Sequence, residues 1–167
     1  FEPAHALAHF NLADLELGRG QAATAASHYQ QGLEQRPDNV QARYNLAAAL
    51  RLTGQDAPAA EHLEQVLAAR PSDPGALHNL AWILATSEIP SVRQPSRAVE
   101  LARRATEATG GRSVEILQTL ATAYRAAGQR QQAEVTLENA LRLARSNRQF
   151  GLSQQLEKEL AALRAGR

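Results

Sequence analysis

An all-α solenoid, with helix pairs stacked in series, is the fold class the sequence predicts, and three observations predict it. Prolines recur at 3, 37 and 71, a constant spacing of 34 residues, which is a repeat period rather than a property of one globular core. The stretch Val40 to Asp73 holds two runs of apolar and small residues at helical spacing, Leu46, Ala47, Leu50 and then Ala59, Leu63, Val66, Leu67, so each run is an amphipathic helix with one buried stripe. Composition agrees: 44% of the residues are hydrophobic but only 4% aromatic. Packing must therefore come from Ala and Leu, between neighbouring repeats.

Within that unit the break is specified locally. Gly54 is able to take the left-handed conformation that ends a helix, Asp56 is the expected cap of the next one, and Pro58 suits a first turn. Pro71 closes the second helix. The first unit, 6–39, places His9, Leu12, Ala13, Glu16, Gly20, Ala25, Tyr29 and Pro37 at the same offsets at which 40–73 places Arg43, Leu46, Ala47, Leu50, Gly54, Ala59, Leu63 and Pro71. Unit 114–147 repeats them with Leu117, Leu120, Ala121, Tyr124, Gly128, Ala133 and Leu137, and has Arg145 where proline is expected. With the proline gone, its second helix is expected to run longer.

The third unit, 74–113, starts with Pro74 behind the capping candidates Ser72 and Asp73, then continues through Leu77, Leu80, Ala81 and Leu84. Its next Ala, Ala98, arrives five residues late, so residues 87–95, with Pro90 and Pro95, are expected to form an inserted loop. Ser96 is the expected cap of the helix carrying Ala98, Leu101, Ala102 and Ala105, and Ser113 that of the next unit. Residues 148–167 form a last helix with Leu152, Leu156, Leu160 and Leu163 on one side, a polar-backed cap. Residues 1–5 read as the end of a preceding repeat, since Pro3 stands one period before Pro37, and an array continuing upstream is expected.

This pattern of aromatic, Leu-small, aromatic, Ala and Pro at fixed offsets resembles the tetratricopeptide repeat family over nearly the whole chain. The resemblance implies a right-handed solenoid of four helix pairs plus the capping helix. From Leu80 to Thr109 the wording is similar to C-terminal repeats of large bacterial tetratricopeptide proteins, some of which carry catalytic domains upstream. Lys158 is the single lysine among the 18 basic residues, a composition associated with GC-rich bacterial genomes.

The resemblance further implies that first helices line a concave groove for an extended partner peptide. Candidate binding residues on that side are Phe10, Asn11, Tyr44, Asn45, Arg51, His78, Asn79, Trp82 and Arg125. Asn11, Asn45 and Asn79 fall one period apart and resemble the asparagine ladder of the O-linked N-acetylglucosamine transferase repeat region. Each carboxamide offers a donor and an acceptor for a peptide backbone. Such an asparagine also serves to brace neighbouring helices. The clamp for a terminal carboxylate found in chaperone-binding members is not expected, because only Asn45 of its residues is present.

Other chemistries are weakly supplied. His5 and His9 are four apart but lack a third ligand, so no metal is expected. Neither a nucleophile with a base nor a phosphate-cradling loop is present, so no cofactor and no enzyme activity are expected. No apolar run approaches a membrane span, and no dense basic stripe fits nucleic acid. With no cysteine the redox compartment stays open, bacterial cytoplasm or periplasm. Residues 1–84 carry five basic and nine acidic side chains, residues 85–167 thirteen and eight. The expectation is an interaction module for a protein or peptide partner. The alternatives are a self-associating scaffold using the opposite charges, or the repeat region of a larger enzyme such as a glycosyltransferase.

Overall fold

The computed structural model describes residues 3–166, all of whose regular elements are helices. Phe1 and Glu2, part of the expected end of a preceding repeat, lie outside the described residues, while α1 itself begins at Pro3. The chain divides into two compact units, one up to Pro71 and one from Ser72.

The first unit contains α1 (Pro3–Gly18), α2 (Ala22–Gln35), α3 (Val40–Leu52) and α4 (Asp56–Ala69). α1 packs on α2, α2 on α3 and α3 on α4. The periodic alanines Ala25 and Ala59 are fully buried, which brings paired helices close, and Tyr29, Leu46, Leu50, Leu63 and Val66 fill the space around them. Gly32 of α2 is a special case of close approach. A Cβ there would overlap the Phe10 ring, with Cζ at 3.0 Å and two ring carbons nearer.

The second unit contains α5 (Pro74–Thr86), α6 (Pro95–Ala108), α7 (Val114–Ala126), α8 (Arg130–Ser146) and α9 (Phe150–Ala165). α5 pairs with α6, α7 with α8, and α6 also covers α7, while α5 and α7 lie side by side. α8 is 17 residues long against 14 for α6, as the loss of the terminal proline predicts. α9 closes the unit by burying Leu156 and Leu160 against Leu137, Ala140, Leu141 and Ala144, with Leu152 and Leu163 at the margin. Guanidinium groups hold it at both ends. Arg130 donates to the carbonyls of Leu163 and Gly166 at the end of α9, Arg164 pairs with Glu134 at 2.6 Å and with Glu138, and Arg145 pairs with Glu157 at 2.6 Å.

One turn recurs between paired helices. Gly20, Gly54 and Gly128 take φ of 79°, 74° and 73°, and the next amide, of Gln21, Gln55 or Gln129, reaches back to the carbonyl of Glu16, Leu50 or Tyr124 at 2.8, 2.9 and 2.8 Å. This closes the C-terminus of each first helix. It also corrects the expected cap at Asp56. Gln55 is the boundary residue, with no side-chain cap, and Asp56 is the first helical residue, where its charge faces the helix dipole. Ser96 is corrected likewise: α6 begins at Pro95 behind Gln94, so the loop ends at residue 94. Pro95 needs no donor partner, and the Gln94 amide bonds the Leu84 carbonyl at 2.9 Å. Asp73 and Ser113 cap as expected, accepting from the amides of Ala76 and Ile116 at 2.9 and 3.2 Å.

Between α8 and α9 the same turn is built around Arg148, at φ 56°, with the Gln149 amide bonded to Ala144 at 2.9 Å. A side chain in this conformation costs about 1 kcal/mol relative to glycine. Replacing Arg148 by Gly is expected to raise unfolding stability by roughly that amount in denaturant titration; no gain would show that the turn is not strained. Gly32→Ala, which in an open helix would stabilise by about 1 kcal/mol, is expected instead to destabilise by about 1–3 kcal/mol through the Phe10 ring. In a Phe10→Ala background the same change should stabilise.

Candidate functional site

The predicted residues do not share one environment. Phe10 is only 7% exposed, its ring nested over Gly32, so it is a packing residue and not the exposed flat face expected of it. The three asparagines also differ: Asn11 is exposed, Asn45 half-buried, and Asn79 only 9% exposed. They are not a row of equivalent free carboxamides, because the helices that carry them are covered to different extents.

Asn45 has an internal role. Its Nδ2 donates to Asp14 Oδ1 at 3.3 Å and its Oδ1 accepts from Gln41 at 3.1 Å, while the hydroxyl of the fully buried Tyr29 donates to the same Asp14 oxygen. One carboxylate oxygen thus joins α1, α2 and α3. Burial, then the hydrogen bond and charge of Asp14, push the Tyr29 phenol well above its ordinary value, against a smaller opposing effect of Asn45.

The remaining candidates lie at the surface. Tyr44, Arg51, His78 and Trp82 are half-buried and Arg125 is exposed. Arg51 stands in the last turn of α3, and Arg125 in the last turn of α7. The Arg51 Nε is shielded from solvent and meets no hydrogen-bond partner among the described residues. A buried guanidinium N–H without an acceptor is costly. Beside α7 the corresponding surface is partly filled by α9, since Gln118 donates to Glu159 at 2.7 Å.

Two features escaped the sequence reading. His9 and His28 face each other across α1 and α2, Nδ1 to Nδ1 at 3.3 Å, with ring centroids 5.6 Å apart. The pair is aligned for one shared proton rather than for a common ion, and no group of three or more metal-ligating side chains occurs among the described residues. His62, the equivalent of His28 one period on, is held below the ordinary imidazole value by burial and then by Arg43. Depressions also line the surface of α8. One of about 680 Å³ is lined by Arg130, Gln131, Glu134, Val135 and Glu138, and one of about 390 Å³ lies beside Tyr124 and Thr136. Periodicity located neither; the second forms where α8 sits beside Tyr124 of α7.

Helix pairs of this length and turn geometry define a class of repeat proteins. Family models described as tetratricopeptide repeat match residues 16–83 and 114–147, together more than half of the chain, and the chain belongs to the tetratricopeptide repeat family. Comparison with curated protein sequences gives no match. Among solved structures, TTC0263, a thermophilic tetratricopeptide repeat protein of Thermus thermophilus, is similar with TM-score 0.72 and 20% identity, over 96% of this chain and 82% of that one. MamA from residue 41 onward, of Desulfovibrio magneticus RS-1, gives 0.74 and 15%, over 98% and 97%. Identities this low speak for the fold alone. The family supports a protein–protein interaction module with protein partners, and its repeats are typically non-catalytic scaffolds. No described helix is long and apolar enough to cross a membrane.

The polar junction is testable through pH. Because the folded-state phenol of Tyr29 titrates above its unfolded value of 10.0, its contribution is fully present below pH 10 and is lost as pH rises further. Tyr29→Phe is expected to cost about 1–3 kcal/mol at neutral pH and to flatten the alkaline loss of stability in denaturant titrations. An unchanged alkaline slope would assign that loss to other groups.

Proposed function

We propose that this protein is an interaction module that holds an extended, acceptor-bearing segment of a partner protein against the groove-lining side of its first helices. The observation that carries this reading is the half-buried Arg51 guanidinium at the end of the α3 stripe that also holds Tyr44 and Ala48. A backbone carbonyl or an acidic side chain of the partner would pair with the solvent-facing part of the guanidinium through a charge-assisted bond. Tyr44 and Ala48 precede Arg51 on the same stripe of α3 and offer apolar surface beside the charge.

The second unit supports a parallel reading with its own residues. His78 and Trp82 lie one turn apart on α5, next to α7 with Thr122 and Arg125. Aromatic and Arg side chains are the types that anchor interfaces. Asn45 in this reading presents the bound Asp14 and Tyr44 surface rather than bonding the partner backbone freely.

The experiment is selection of displayed random peptides on the wild-type protein, followed by anisotropy titration of the selected sequences. Peptides rich in Asp and Glu are expected; those that bind the first unit should lose about ten-fold in affinity, or about 1.4 kcal/mol, for Arg51→Ala, and those that bind the second should lose as much for Trp82→Ala, at unchanged helicity. Selected peptides that bind both variants as tightly as wild type would remove these faces from the function.

A further inference from the structure

The first unit fills a place on its surface that the second leaves open. In α3 the guanidinium of Arg43 donates to the Pro37 carbonyl and to Gln65 of α4, 6 residues before it and 22 after it. Leu117 is the fourth residue of α7, as Arg43 is of α3, and Gly111 and Asn139 stand at the same two distances from it. Gly111, Leu117 and Asn139 line a hollow of about 480 Å³ between the C-terminal ends of α6 and α8.

The exchange of Arg for Leu accounts for the hollow. A leucine stops at its δ carbons, where an arginine continues into its planar head, so the place of the head is empty. Asn139, the counterpart of Gln65, already has a cation, because Arg142 donates to it from one turn further along α8. The walls that remain are largely apolar. Leu117 is buried and Leu143 half-buried, the latter in place of Ala69. The hydroxyls of Thr106 and Ser146 turn back to their own helices, donating to the carbonyls of Ala102 and Leu143 at 2.8 Å each. A space so lined favours an apolar side chain, and Arg142 on its rim disfavours a second guanidinium.

The same arginine sets the charge beside that side chain. Arg142 is exposed, and a guanidinium carries five N–H donors, so its bond to Asn139 leaves it able to take a carboxylate. Arg112, next to Gly111, is exposed as well. Residues 85–167 carry thirteen basic and eight acidic side chains, so the surrounding field favours an anionic segment.

We propose that the hollow between the ends of α6 and α8 is a docking site for a partner segment that seats one large apolar side chain over Leu117 and Leu143 and pairs an adjacent carboxylate with Arg142. An apolar anchor in a recess with a charged contact at its edge is a usual interface arrangement. The site uses none of Arg51, His78, Trp82 or Arg125, so it stands or falls apart from the first-helix groove.

The test is two-dimensional NMR of the 15N-labelled chain with two blocked dipeptides, acetyl-Phe-Asp-amide and its uncharged analogue acetyl-Phe-Asn-amide. The first should shift the amide signals of Thr106, Gly111 and Leu143 and saturate with a dissociation constant on the order of 1 mM. The analogue should bind the same signals about three- to five-fold more weakly, the size of a surface ion pair. Arg142→Gln, a change at an exposed position, should make the two dipeptides equal. Leu117→Arg, which installs the residue that α3 carries, should fill the hollow and abolish both sets of shifts; Arg142→Gln decides the case even where that variant does not fold. No shift of these signals up to about 20 mM, well above a millimolar constant, overturns the proposal. So do equal binding of the two dipeptides to wild type, shifts that persist in folded Leu117→Arg, and shifts confined to α3 and α5.

Discussion

A first helix in this fold has two faces to bury, one against its own partner and one against the helix before it. The partner face is secured by the small residues at the start of each second helix: Ala25, Ala59, Ala98 and Ala133 are each at most 1% exposed. Their size sets the helix separation, and Leu or Tyr side chains fill the remaining space at core density. The other face is covered in α3 and α7 and uncovered in α1. Local identity and local conformation are therefore the same in positions whose surroundings differ, which is the general condition of a repeat architecture.

The polar groups solve a different problem, that of fixing helices already brought together by apolar burial. In the first unit a single carboxylate, Asp14, is shared between the phenol of Tyr29 and the amide of Asn45, so three helices meet at one acceptor. In the second unit, arginines take this role. Arg130 satisfies carbonyls at the C-terminus of α9 that no intrahelical donor reaches, and Arg164 and Arg145 tie α9 to α8 through carboxylates. These surface ion pairs contribute little individually. Their value lies in placing one helix against another in a single register.

Arg51 differs from the arginines that tie α9 to α8 in having an Nε shielded from solvent with no acceptor among the described residues. Arg43, about two turns earlier on the same helix, bonds the Pro37 carbonyl and Gln65. Of the two guanidinium groups on α3, Arg43 is thus locked into the unit, and Arg51 is the one that the proposed function gives to a partner.

The sequence by itself determined the helix pairs, their period, the left-handed glycine turns and the five-residue delay before Ala98, because each follows from local rules: spacing of apolar residues, the conformational freedom of Gly, the missing amide of Pro. It misplaced the caps at Asp56 and Ser96 because the preceding turn and Pro95 decide where a helix starts, whichever side chain could cap it. Only the tertiary structure decided which members of a periodic row are exposed. Phe10 and Tyr44 occupy equivalent places, yet Phe10 is buried, because Gly32 opens a recess beneath it. Asn11, Asn45 and Asn79 are likewise equivalent in sequence and unequal in burial. Burial depends on what the neighbouring helix carries at the point of contact, and a period in one stretch of sequence does not contain that information.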